Sequence, residues 1–393
     1  MRALVVGGGI GGLSAGIALR QAGFDVELFE RAPVIGEVGA GISLWPNALH
    51  VLDAIGVGAR VRALGHTQGD GRLLTADGRT LIAMSMSVIE QAGGAPVLML
   101  HRAHLIEALR AGFDGAVHLG HELADVAQVG ERVRATFANG VTAEGDVLVG
   151  ADGIRSAVRS RIFPGAEPVY VGYSGLRAVV ACPASVTQTS ESWGRGARFG
   201  LIPLADGRLY WFAAWNAPEG LVLSPVERRE RALRTFRGWH APIEDVIRAT
   251  DPNAILFDDV RELVGLPTWA LGRVALLGDA AHAMTPNLGQ GGCAAIEDAY
   301  VLTRCLVEET TVEDALDRYV RLRRPRVTSI VRDSHAFGVF GQLENTLLVR
   351  MRNAIMVATK GRYGREVVLK YARTRPNELL GVVEVASQAD CRQ

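Results

Sequence analysis

One stretch constrains this chain more than any other: Gly7-Gly8-Gly9-Ile10-Gly11-Gly12, set between the apolar run Arg2 to Val6 and a helical pattern carrying Leu13, Ile17, Ala18 and Leu19. A second apolar run, Asp25 to Phe29, follows and ends on Glu30. Strand, helix and strand with G-x-G-x-x-G at the first turn make a dinucleotide-binding βαβ unit. Gly7 permits the tight turn, Gly9 lets a pyrophosphate reach bare backbone, and Gly12 lets helix and strand pack closely; Gly11 belongs to the same candidate contact run. The free N–H groups and positive dipole end of the helix then hold phosphates. Glu30 can accept hydrogen bonds from an adenosine ribose and repels a 2′-phosphate, so FAD or NAD is expected over NADP. A cleaved leader is the competing reading, but five glycines within six residues and no small-residue cleavage pattern argue against it.

With 393 residues, the chain has room for two domains or one large domain with an insert. Basic and acidic residues number 42 each, so no nucleic-acid partner is expected. No apolar run is long enough to span a membrane. Cys182, Cys293, Cys305 and Cys391 lack metal-ligand or C-x-x-C spacing, which points to reduced thiols, no metal and a cytoplasmic location.

Beyond Glu30, the glycine-rich segment 31–41 is expected to be a loop that wraps a long cofactor, or else an ordinary crossover. Ile42-Ser43-Leu44 reads as a strand and Asn47 to Ile55 as a helix. Asp77-Gly78 marks a hairpin in the β segment 68–97. A helix starts at His101, short strands turn at Asn139-Gly140, and an apolar strand ends at Gly150, just before Asp152-Gly153. Residues 166–270 read as β again and hold five of the six tryptophans. A buried strand at 273–277 closes on Gly278-Asp279, a loop covers 285–292, and Cys293 opens a helix to about Glu309. Helices are expected at 312–336 and 341–373, with the last 15 or so residues frayed. The expected architecture is α/β: a dinucleotide-binding domain (1–67, 98–165 and 271–340) interrupted by a mostly antiparallel β domain (68–97 and 166–270), then C-terminal helices (341–393).

With these motifs in this order, the chain resembles the class A (single-component) FAD-dependent aromatic monooxygenases, closest to urate-hydroxylase-like and to salicylate- and 3-hydroxybenzoate-hydroxylase-like members. The residues that carry the resemblance are Gly7 to Gly12 with Glu30, Asp152-Gly153, WPN at 45–47, and GDAAHAMTPNLGQGGCAAIEDA at 278–299. It implies a Rossmann-like FAD domain of the p-hydroxybenzoate-hydroxylase and glutathione-reductase type. NADH or NADPH would act as transient co-substrate, and O2 would react at flavin C4a to give a hydroperoxide that hydroxylates a small aromatic or heteroaromatic ring. Asp279 would meet ribityl hydroxyls, and Pro286 would stiffen the loop. Gly289, Gln290, Gly291, Gly292 and Cys293 would face the flavin pyrimidine. Arg31, Ser43 and Arg102 match cofactor contacts, although Arg102 also fits a salt-bridged surface residue. Asp152 has been tied in the family to both FAD and the nicotinamide cofactor.

For substrate, the resemblance implies Arg198 and Tyr210 as binding or orienting residues. Arg177 stands where urate hydroxylases carry asparagine, which puts urate in doubt. Two arginines at one cleft suit an anionic ring. Trp193, Trp211, Phe212 and Trp215 could line a pocket, with Trp211 and Phe212 on opposite strand faces. His282 reads as structural or cofactor-adjacent. Two further functions stay open: an epoxidase or tailoring hydroxylase of a larger polyketide or terpenoid, and a non-catalytic flavin-binding redox sensor. A monomer or homodimer is expected, and residues 341–373 also fit an amphipathic membrane-surface segment.

Overall fold

The computed structural model describes residues 1–36, 41–204 and 206–381. Residues 37–40 of the expected wrapping loop, and residues 382–393 with Cys391, lie outside them. The first sheet has six strands in the order Ala270–Leu271, Val274–Leu276, Val147–Gly150, Arg2–Val6, Asp25–Glu30 and Ala116–Leu119. Neighbours run parallel except for the first pair. Its central strands are apolar throughout because helices cover both faces. The first helix, Ile10–Gln21, starts inside the glycine run and packs on the helix Gly291–Glu308. A side chain at Gly11 would meet Leu277 and Ala295, so glycine there permits the contact.

The second sheet has seven strands in the order Leu256–Glu262, Val169–Ala181, Arg208–Asn216, Ala197–Pro203, Thr189–Trp193, Gly71–Thr75 and Thr80–Met84. The hairpin at Asp77-Gly78 thus joins strands more than a hundred residues later, through a parallel pairing of Gly71–Thr75 with Thr189–Trp193. Alternation gives this sheet two unlike faces. The back face carries Phe199, Leu201, Trp211 and Trp215 and is sealed by Phe236, Ile243, Val246 and Ile247. The front face carries Tyr173, Arg177, Arg198, Tyr210 and Phe212, as the pairings Arg177 with Phe212 and Ile202 with Tyr210 require.

Residues 166–270 are not β throughout, contrary to the sequence expectation. Helices Pro225–Thr235 and Ile243–Ala249 interrupt them, the first set by Pro225 and a Ser224–Glu227 capping box. Another helix, Met86–Gly93, sits within 68–97. Trp269 is not part of the second sheet; it packs in the nucleotide-side core beside His282 and Tyr319. Trp211 and Trp215 are core residues of the back face, whereas Phe212 shares the front face with Tyr210, and Trp193, paired with Arg198, lies on that front face too.

The helix Val312–Gly341 runs through Pro325, and the expected 341–373 helix is two, Thr346–Ala358 and Arg362–Ala372. They break where Lys360 and Gly361 take positive φ. Among the described residues, no helix is long and apolar enough to cross a membrane.

Candidate active site

Both glycine turns lie at carboxyl ends of strands in the six-stranded sheet. In the first, Gly7 has φ +113°, and a Cβ there would overlap the carbonyl of Ala151. A Cβ on Gly12 would overlap the Gly7 carbonyl, whereas a Cβ on Gly9 would meet nothing within 4 Å. Glu30 is fixed at the crevice by two backbone donors: the Gly8 N–H reaches Oε2 at 2.6 Å and the Ala32 N–H reaches Oε1 at 2.9 Å. The N–H groups of Ile10, Gly11 and Gly12, in the first turn of the helix, have no helical acceptor. Arg31, which follows Glu30 in the chain, is exposed.

In the second turn, Gly278 has φ +58° and Asp279 stands exposed as the first residue of the helix Asp279–His282. Its Oδ1 lies 4.0 Å from where a Gly291 Cβ would stand, so Asp279 and the start of the helix Gly291–Glu308 share one crevice. That helix starts two residues earlier than expected and leaves the N–H groups of Gly291, Gly292 and Cys293 without helical acceptors. Among the described residues the buried Trp45 indole N–H has no partner, and it lies 3.2 Å from a Cβ placed on Gly289, while Pro286 is exposed.

Three candidate residues turn their side chains elsewhere. The Cys293 thiol is buried against the carbonyls of Ser43 (3.9 Å) and Gly289 (3.8 Å), and burial pushes it up to about 12. Native protein at pH 8 is therefore expected to leave Cys293 unmodified by iodoacetamide, with labelling only after denaturation; a labelled Cys293 peptide from native protein would contradict this. The Ser43 hydroxyl faces Met99 Sδ at 2.9 Å. The Asp152 carboxylate accepts from Ser156 Oγ (2.5 Å) and the Val158 N–H (3.1 Å), capping the helix Ala157–Ile162, and burial raises its pKa.

Behind the second turn runs a buried ionic network that motif reading alone missed. Asn47 Nδ2 donates to Gln290 Oε1 (3.1 Å) and Glu297 Oε1 (2.7 Å), so the Gln290 side chain points inward. Glu297 takes two hydrogen bonds from Arg326 and a 2.8 Å ion pair from Arg323. Arg323 also reaches Asp298 at 2.7 Å, and Asp298 accepts from His282 Nε2 (2.5 Å) and the Gly278 N–H (3.0 Å). Burial opposes ionisation of the two acids, but Arg326 and Arg323 for Glu297, and His282 and Arg323 for Asp298, outweigh it and bring both down to about 2. Asn47, Glu297 and Asp298 sit inside the WPN and GDAAH…EDA stretches, which was the available signal. Nothing local marks Arg323 or Arg326. His282 is structural, held by Asp298.

The front face of the second sheet meets this arrangement directly. Arg198, buried, donates to Asn287 Oδ1 (2.7 Å) and Gln342 Oε1 (3.1 Å) and lies 3.6 Å from Glu191. Asn287, a residue motif reading also missed, donates in turn to Tyr173 (3.1 Å), Thr285 (2.9 Å) and the Ser334 carbonyl (2.7 Å). The Tyr210 ring packs against Gly41, where a Cβ would stand 2.7 Å from Cδ1. Burial raises its hydroxyl pKa against the pull of Arg177 and Arg102. Among the described residues, nothing hydrogen-bonds that hydroxyl. Arg177 pairs with Asp258 at 2.8 Å, so each candidate arginine already has a carboxylate. Arg102 opens the helix Arg102–Gly112.

A parallel-sheet dinucleotide crevice with a second glycine turn, opposed by a mostly antiparallel sheet, is the arrangement of a single-component flavin monooxygenase. Residues 1–334 match the family described as an FAD binding domain, and the chain belongs to it. It is an FAD-dependent monooxygenase. It is 43% identical over 357 residues to aurachin C monooxygenase/isomerase of Stigmatella aurantiaca, covering 90% of this chain and 93% of that one. It is 35% identical to an FAD-dependent urate hydroxylase of Klebsiella oxytoca, covering 84% and 88%. In structure it resembles Klebsiella pneumoniae HpxO complexed with FAD and uric acid (TM-score 0.88, 28% identity, 95% and 96% covered). It also resembles a tetrameric form of 2-methyl-3-hydroxypyridine-5-carboxylic acid oxygenase (TM-score 0.79, 28% identity, 96% and 97% covered).

Proposed function

We propose that FAD lies extended between the two turns, its adenosine end at Gly7 to Gly12 and Glu30, its ring end at Asp279 and Gly289 to Cys293. The ring faces the front of the seven-stranded sheet, where a nitrogen-heteroaromatic substrate binds. One observation carries this reading: Asn287, inside the second turn, is bonded to Arg198 on the opposing sheet. The open space beyond Gly9, the two sets of free first-turn N–H groups and the unpartnered Trp45 indole fit a long, polar, partly anionic cofactor. On this reading the chain divides as 1–67, 98–165 and 271–340 for FAD, with 68–97 and 166–270 for substrate and 341–393 as a helical flank.

When bound, FAD supplies the redox and oxygen chemistry, drawing electrons from NADH or NADPH. The protein does the rest. The N–H groups of Gly291, Gly292 and Cys293, with the helix dipole, favour negative charge on the ring's pyrimidine side. Tyr210, kept protonated by burial, donates a hydrogen bond to substrate, and Phe212 beside it helps exclude water. Arg198 is held in place by Asn287 and Gln342 and orients the ring. Glu191 and Asp258 offset the charges of Arg198 and Arg177, so the site does not demand a carboxylated substrate. Two of the relatives are named for nitrogen heterocycles, and we carry that class over to this chain.

A panel of hydroxyquinolines, hydroxypyridines and their carboxylated forms tests the reading. An uncarboxylated ring is expected to stimulate NAD(P)H oxidation and to be recovered with one added oxygen atom. A strict need for the carboxylate, or NAD(P)H consumption never coupled to product, would overturn it. For the best substrate, Arg198→Gln is expected to raise KM by about 10- to 100-fold, the loss of one charged hydrogen bond, with flavin content unchanged.

A further inference from the structure

The helix Thr346–Ala358 is amphipathic in reverse. Leu347, Met351, Ala354, Ile355 and Ala358 fall at i, i+4, i+7, i+8 and i+11, the spacing of a stripe that normally turns to the core. Here the stripe points outward: Leu347, Met351 and Ile355 are 66%, 51% and 52% exposed. The buried side chains are Arg352 and Met356. Arg352 goes inward because it donates to the carbonyls of Gly341 (3.1 Å) and Gly194 (3.2 Å) and sits over the Trp193 ring. Val339 and Phe340, which end the preceding helix, are exposed as well.

Between the exposed Glu344 and Glu366, the charge along this stretch is one-sided. Arg350, Lys360, Arg362 and Arg365 are exposed, and no acidic residue occurs from Asn345 to Arg365, in a chain whose charges balance over its whole length. An apolar stripe on a basic helix surface matches a bilayer interface carrying anionic headgroups. A two-fold pairing of the same patch on a second copy would instead bring these cations together.

From this we propose that the helix Thr346–Ala358 docks the protein on an anionic lipid surface, with Leu347, Met351 and Ile355 among the acyl chains and the four cations on lipid phosphates. The inner side of the same helix reaches the Arg198 neighbourhood, because Arg352 holds the Gly341 carbonyl and Gly341 packs on Arg198. The docking claim goes beyond the proposed function and does not depend on it.

Co-sedimentation of the flavin-loaded full chain with vesicles tests the proposal. Vesicles of phosphatidylcholine with about a third phosphatidylglycerol are expected to bind it at least tenfold more strongly than pure phosphatidylcholine. High salt should weaken that binding, since exposed charges are screened. Leu347→Asp with Met351→Asp is expected to lower binding at least tenfold, and Arg350→Glu with Lys360→Glu to erase the preference for phosphatidylglycerol. Flavin content and melting temperature of the variants, measured alongside, should match the parent because all four side chains are exposed. No binding to the anionic vesicles, equal binding by parent and variants, or a dimer that the aspartate pair dissociates without any vesicle binding would overturn it.

Discussion

Valine in place of Gly9 is expected to leave a folded but colourless protein. A Cβ at this position meets no protein atom within 4 Å, so the apo fold has no reason to change. The branched side chain instead fills the space in front of the free N–H groups of Ile10, Gly11 and Gly12, where a pyrophosphate needs bare backbone. Excluding it should weaken FAD binding by at least about 100-fold, roughly 2.7 kcal/mol, and NAD(P)H oxidation should fall with it. Far-UV circular dichroism unchanged from the parent, together with lost visible flavin absorbance, is the expected pair of readings. Full flavin occupancy in this variant would sink the placement of the pyrophosphate. Gly12→Val makes the contrast, because its Cβ would overlap the Gly7 carbonyl and should cost folding itself.

Removing Arg323 should produce the largest loss of stability. Its guanidinium is buried between Glu297 at 2.8 Å and Asp298 at 2.7 Å, and Arg323→Met leaves Asp298 with His282 as its one remaining side-chain partner among the described residues. Deleting one partner of a buried ionic cluster costs about 3–5 kcal/mol, because the remaining charge stays desolvated. Chemical denaturation of the flavin-loaded protein should show a loss in that range, and a change under about 1 kcal/mol would refute the network's importance. The same network sets a pH dependence. Both acids are held at about 2 in the folded chain, below their values near 4 when unfolded. Their contribution is therefore complete above about pH 4.5 and is lost as pH falls toward 2. Arg323→Met should flatten that acid limb; an unchanged acid limb would show that other groups carry it.

Features that rest on local backbone demands were legible in the residues. The strand Arg2–Val6, the glycine turn, Glu30, the Asp77-Gly78 hairpin and the Gly278-Asp279 turn all follow from tight turns, positive φ or short apolar runs, which neighbours in sequence impose. Two helices within 166–270 are not apparent in the sequence: Pro225–Thr235 is mostly polar and buries only Ala232, while Ile243–Ala249 buries Ile243, Val246 and Ile247 but is only seven residues long. The Ser224 capping box and Pro225 were the local signs of the first.

Other features depended on residues far apart in the chain meeting in space. Whether Arg177 and Arg198 present free charge turned on Asp258 and Glu191. Which aromatic faces the ring turned on strand register, which sends Trp211 and Trp215 back and keeps Phe212 forward. The outward turn of Leu347 and Met351 turned on Arg352 finding the carbonyls of Phe340, Gly341 and Gly194. Conformational demands act over a few bonds and so are written residue by residue. Charge compensation and burial are sums over everything packed nearby, and no stretch of sequence contains that sum.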